Sequence, residues 1–193
     1  LTNVVWESAM HARVFRAKGY EHAMRQLRVH STVVAQVSRD LAPTAGVDPE
    51  TAFLAGLLHD VGFAAGLLVV AEMPKDERPS LDALWPALAQ VHERVAGIVT
   101  RLWGLPEEIC EAACLHHHVP DFILDPLRTI MIVAEEVAWE ADASLCIGPW
   151  AEGFDRSPGD VVEAACAALQ LDDARLTRAR KRAAATKEEL GNA

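Results

Sequence analysis

Leu54-Ala55-Gly56-Leu57-Leu58-His59-Asp60-Val61-Gly62 places an adjacent histidine and aspartate at the end of an otherwise apolar helix. A carboxylate in such a setting needs a partner, because desolvating an unpaired one costs several kcal/mol or neutralises it. A metal ion beside a neutral imidazole keeps the charge. The simpler alternative is that Asp60 only ends the helix, and the two residues by themselves favour that alternative.

The other histidines shift the balance. Ala23, Leu27, His30, Val34, Val37 and Leu41 step by four and three, as one face of a helix does, and His30 occupies an apolar slot. Leu88, His92, Val95, Val99 and Leu102 repeat the rhythm, and Ile109 and Ala113 point with His116, with His117 on the same turn. A single inward histidine is usually a core residue bonded to a carbonyl. Four segments that each aim imidazole inward point to one shared metal site.

Composition sets the limits. With 193 residues, 51% of them hydrophobic, the chain suits one domain with a sizeable core. Few aromatics and abundant alanine favour helix over sheet. The net charge of −10 argues against a nucleic-acid surface or an acidic-membrane surface, which needs concentrated Lys and Arg. Small anions drawn to metal ions stay open. Cys110, Cys114, Cys146 and Cys166 form no C-x-x-C pair and are expected to be reduced and structural. No charged-then-apolar leader opens the chain and no apolar run reaches about 18 residues, so a cytoplasmic location is expected. The chain does not start with Met, which suggests trimming; an upstream segment would be invisible here.

In order, helices are expected over 3–17, 20–42 and, capped by Asp48 with Pro49 in its first turn, 49–59. Gly56 lies on the inner side of the third, where a missing side chain admits another helix or a ligand. An apolar helix follows over 63–73. Pro74–Ser80 reads as a polar loop, placed to flank a site mouth, and Pro86 as a break before the His92 helix, which runs to Trp103 with Gly104 as its stop. Pro106 starts the helix that delivers His116, His117 and His118. Asp125-Pro126 starts another, with Leu127, Met131, Ala134, Ala138 and Ala141 inward and Glu135 bordering that stripe. Ser157-Pro158 opens the next, and Asp172 caps a final basic helix whose Arg175, Arg178, Arg180, Lys181 and Arg182 read as a solvated face.

Val29-His30-Ser31, FLAGLLHDVG at 53–62, VHERVAGIVTRLWGLPEEI at 91–109 and His116-His117 together resemble the HD superfamily, specifically its HDOD branch, over about residues 20–140. The H-x4-G-x5-W-x-L-P spacing, in order with the HD doublet and a histidine pair, makes the resemblance specific. It implies an all-α HD-superfamily bundle, one domain over 1–193 with its core at about 20–143 and a helical tail over 144–193. It implies a central site for one or two divalent transition metal ions (Fe, Mn, Zn or Ni), with His30, His59, Asp60, His92, His116, His117 and Glu135 as ligands. Glu135 stands in an Ala-Glu pair where the family pattern has Ala-Asp. In a catalytic version Asp60 would bridge the ions beside a metal-bound water that attacks phosphorus.

Three departures point away from efficient catalysis. Phe63 stands where active phosphodiesterase relatives commonly have Lys, His118-Val119-Pro120-Asp121 replaces a glycine-rich GYP stretch, and the amino-terminal helices are short. The expected function is therefore an HDOD-type signal-transduction or regulatory domain with a metal-binding core. The alternative is a metal-dependent phosphohydrolase acting on a nucleotide or cyclic dinucleotide, and a two-iron oxygen chemistry comes third. A signalling protein or a small phosphorylated ligand is the expected partner; neither nucleic acid nor a membrane is.

Overall fold

The computed structural model describes residues 16–145 and 156–191, and these are helical with no strand among them. The expected helix over 3–17 lies almost wholly outside the described residues, as does Cys146. The elements are α1 (Glu21–Leu41), a 3-10 turn (Ala42–Ala45), α2 (Pro49–Leu58), α3 (Val61–Ala71), α4 (Leu81–Leu102), α5 (Glu107–Cys114), α6 (Pro126–Glu140), α7 (Gly159–Ala168) and α8 (Asp173–Gly191).

Several starts follow from local chemistry. Asp48 accepts the Thr51 N–H at 2.8 Å with Pro49 next to it, and Asp125 accepts the Arg128 N–H at 3.1 Å with Pro126 next to it. Asp172 does the same for Arg175 at 2.7 Å. The seventh helix begins at Gly159, after Pro158, rather than at Ser157.

α1 is the axle of the bundle. Its Ala23, Met24, Leu27 and Ala35 pack with Phe53, Leu57, Phe63, Leu67, Trp85 and Ile109. Its Val33, Val34, Val37 and Leu41 join Ile130, Met131, Val133 and Val137 of α6. Each fully buried Leu, Ile or Phe contributes about 1.5–3 kcal/mol relative to exposure, which is why the inward stripes are legible in the sequence. The last two helices add to this second cluster through Ala165, Leu169, Ala179 and Ala183. The arginines expected on a solvated face are exposed, and two of them also reach the bundle: Arg180 pairs with Glu140 at 2.6 Å and Arg182 with Asp40 at 2.8 Å.

Four further expectations are corrected. Pro86 does not break the chain: α4 runs through it. The proline lies in the second turn and is exposed, so only one backbone bond is lost and water can reach the freed carbonyl, while Trp85 and Leu88 anchor the segment. The inner face of α4 is also rotated from the expected one. Trp85, Leu88, His92, Ala96, Gly97 and Thr100 are buried, whereas Leu102 is 80% exposed. The stretch Pro49–Ala71 is apolar and long enough to cross a bilayer, contrary to the expected limit. Yet 67% of its most apolar window is buried inside the protein, and the His59–Asp60 turn divides it into two helices. Finally, the Pro74–Ser80 loop does not flank the histidine cluster. Tyr20 Oη donates to Pro79 O at 2.7 Å and Arg78 Nη1 to Lys18 O at 3.3 Å, which holds the loop against the start of α1.

Candidate metal centre

Two backbone approaches assemble the site. An added Cβ on Gly56 would lie 2.8 Å from Ala35 Cα, so α2 presses directly on α1, and His59, one turn after Gly56, meets His30. A Cβ on Gly62 would lie 2.0 Å from His92 O and 2.7 Å from His92 C. The α3 backbone therefore touches α4 at the histidine itself, which brings His92 to Asp60.

Asp60 precedes α3 in the cap position, but its side chain makes no capping hydrogen bond. That removes the reading in which it only ends the helix. Its carboxylate is 1% exposed and neither oxygen has a hydrogen-bond partner. Each oxygen faces a different group of ligating atoms. Oδ2 lies 3.5 Å from His30 Nε2 and 3.4 Å from His59 Nε2. Oδ1 lies 3.3 Å from His116 Nε2 and 3.7 Å from His92 Nε2.

The first group is His30, His59 and Glu135; the second is His92, His116 and His117. In the first, the Nε2 atoms of His30 and His59 are 3.1 Å apart and Glu135 Oε1 is 2.8 Å from His59 Nε2. In the second, His92 Nε2 lies 3.3 Å from His116 Nε2 and 2.9 Å from His117 Nε2. Every ligand position expected from the sequence is thus brought together, including Glu135, whose longer side chain reaches the first group.

The tautomers follow from the backbone. His59, His92 and His116 each donate Nδ1–H to the carbonyl three residues earlier, Gly56, Ala89 and Ala113, at 2.7–3.0 Å. His30 donates to Ala143 O at 2.9 Å. With Nδ1 protonated, the four Nε2 atoms present lone pairs to one another and to Asp60. Lone pairs at 3 Å repel unless a cation lies between them. First-row metal ions bind N and O at about 2.0–2.2 Å, which spaces neighbouring ligand atoms by about 3–3.6 Å, the spacing seen here. A carbonyl fixing the outer nitrogen is also the usual support for a histidine that ligates a metal.

The carboxylates draw positive charge to the centre: burial would depress the His59 pKa, but Asp60 and Glu135 outweigh it and hold the value well above the ordinary one, so a proton on His59 Nε2 competes with a metal ion for the same lone pair. Burial would raise Glu135, but the His59 and His30 rings bring it down to about 2. Burial pushes His116 down to about 4. The centre keeps its carboxylates ionised and so attracts cations.

Residues outside the expected set shape this centre. Phe63 is buried and stacks on His92 with centroids 4.2 Å apart, and on Trp85 at 4.8 Å, so it fixes a ligand ring from behind. α5 ends before the histidine pair, which sits on the following turn, with His116 buried and His117 exposed. Glu93 accepts the His117 N–H at 3.1 Å. Arg128, from the first turn of α6, donates to Leu115 O at 2.8 Å and also to His118 O. An arginine three residues after a helix cap carries no sequence signal of this role, because the carbonyls it holds come from another element.

Arg128→Ala is accordingly expected to weaken metal binding at the His92, His116 and His117 group about ten-fold, the size of effect typical for supporting residues. The His30, His59 and Glu135 group should be little changed. Metal titration of the purified variant, resolving a weaker and an unchanged phase, checks this.

A pocket of about 120 Å³ opens beside the second group, lined by His116, His117, Val119, Ile132 and Arg156 among others. The Arg156 guanidinium is held by Glu136 at 2.7 Å and lies over Trp139. No curated protein and no solved structure matches the chain. A family model described as HDOD domain matches residues 1–119. That match takes in the first 19 residues, which the motif resemblance left out, and stops short of Glu135.

Proposed function

Since the chain belongs to the HDOD domain family, regulatory domains with an HD-like core, we propose that it is a signal-transduction domain whose centre holds one or two divalent transition metal ions. His30, His59, Glu135 and Asp60 would hold one, and His92, His116, His117 and Asp60 the other. The observation that carries this reading is the buried Asp60 carboxylate, unpartnered at both oxygens and facing a ligand group with each. Imidazole-rich sites with carboxylates suit iron, manganese, zinc or nickel more than calcium.

The same geometry favours a second reading, a metal-dependent phosphohydrolase. Ions in such a pair supply Lewis acidity and lower the pKa of bound water. What the chain adds at the mouth favours the first reading. Phe63 is turned into the core against His92 and offers no cation. Arg156 borders the pocket, but its charge is already matched by Glu136. Positioning and charge stabilisation carry a large share of phosphoryl-transfer rates, so their weakness supports the regulatory reading.

Turnover of generic phosphodiester, nucleotide and cyclic-dinucleotide substrates, assayed with added manganese or iron, is therefore expected to be slow or absent in metal-loaded protein. Robust turnover abolished by Asp60→Ala would make the phosphohydrolase reading the answer.

A further inference from the structure

We propose that the groove between α1, the turn at 141–144 and α8 binds a small organic phosphate of nucleotide size, held by Arg25, Arg28 and Lys187.

The groove is a cavity of about 760 Å³, within the range of small-molecule sites. Arg25 and Arg28 also line an adjoining cavity of about 500 Å³ that contains Arg16 and Lys18. Five cations thus face one surface in a chain of net charge −10. Glu21, Asp142 and Glu188 are the carboxylates along the same two cavities. Glu21 is engaged by the Gly19 N–H, and Asp142 stands 3.8 Å from Lys187.

The arginines that tie the bundle together are paired: Arg128, Arg156, Arg180 and Arg182 each hold a carboxylate at 3.0 Å or less. Arg25 and Arg28, like Arg94 and Arg178, form no ion pair among the described residues; what sets Arg28 apart is that its unpaired group is buried. Arg28 Nε has no hydrogen-bond partner there, a cost that a bound acceptor removes. Guanidinium forks match phosphate oxygens two at a time, whereas Lys187 adds a point charge. Val29, Ala143, Ala184 and Leu190 supply an apolar wall, and the volume exceeds what inorganic phosphate fills, so the ligand carries an organic portion.

The groove shares its 141–144 turn with the metal centre through the Ala143 carbonyl that accepts from His30. Binding is therefore measured on metal-free full chain and separately on Asp60→Ala, so that the groove and the metal reading fail independently. The probes are ATP, pyrophosphate and adenosine in isothermal titration calorimetry. ATP is expected to bind at one site, pyrophosphate more weakly and adenosine weakest. Replacing Arg25 and Arg28 together by Ala should weaken ATP about 100-fold or more, and Arg25→Gln alone about ten-fold, with unchanged circular dichroism. Arg101→Ala, at the far end of α4, and Asp60→Ala should leave ATP binding intact. Absence of ATP binding, its persistence in the Arg25 and Arg28 variants, or its loss in Asp60→Ala alone would overturn the proposal. Pyrophosphate binding as tight as ATP would overturn the organic portion.

Discussion

Asp60→Ala is expected to abolish stable metal binding, whereas wild-type protein purified with added iron or manganese carries roughly one to two ions per chain. The expected loss exceeds that of any other single ligand because Asp60 alone faces both groups, with Oδ2 at 3.4 Å from His59 Nε2 and Oδ1 at 3.3 Å from His116 Nε2. Supporting residues around metal sites typically cost 10–100-fold in affinity, so a shared ligand should cost more than about 100-fold. His117→Ala, which removes the exposed member of one group, should lose metal from that group and spare the other. Elemental analysis and titration against a chromophoric chelator read the difference. Equal metal content in wild type and Asp60→Ala would remove the basis for a metal-binding core.

Gly62→Ala carries the largest expected effect on stability. The added methyl would stand 2.0 Å from His92 O, 2.7 Å from His92 C and 2.9 Å from Ala96 N. All three are backbone atoms of α4, so no rotamer change relieves the overlap and the two helices must separate. Overpacking a core costs about 1–3 kcal/mol and more where the backbone must move. We expect roughly 3 kcal/mol or more, and a Tm lowered by about 6–12 °C for a domain of this size. Because His92 rides on the displaced segment, metal affinity should fall in the same variant. Gly159→Ala is the control: nothing lies within 4 Å of its added Cβ, and alanine is the better helix former. Its Tm should be unchanged or higher by thermal denaturation.

The sequence by itself determined the helical class and pointed to the residues that the fold gathers at its centre. Inward stripes at helical spacing are dictated by burial, and an imidazole on such a stripe is conspicuous because it is costly there. His30, His92 and His116 were legible for that reason, His117 through its neighbour and His59-Asp60 as a charge closing an apolar helix, whereas Glu135 was named only by the resemblance to the family. The helix caps at Asp48, Asp125 and Asp172 were legible too, since a cap is a contact over three residues.

Contacts between distant segments were decided only by the tertiary structure. Nothing local distinguishes Pro86 in a break from Pro86 in the exposed second turn of a continuous helix; packing of Trp85 and Leu88 settles it. Which face of α4 turns inward, leaving Leu102 exposed, is likewise set by its neighbours in space and not by its own spacing. Arg180 and Arg182 are solvent-facing charges, as their helix suggests, but that they also pair with Glu140 and Asp40 follows from where α8 lies. The division of the seven expected ligands into two groups, with one Asp60 oxygen facing each, is a matter of angles and distances between three helices and two turns. A linear spacing fixes which face of its own helix a residue occupies; the partner across from it is set by how the helices pack.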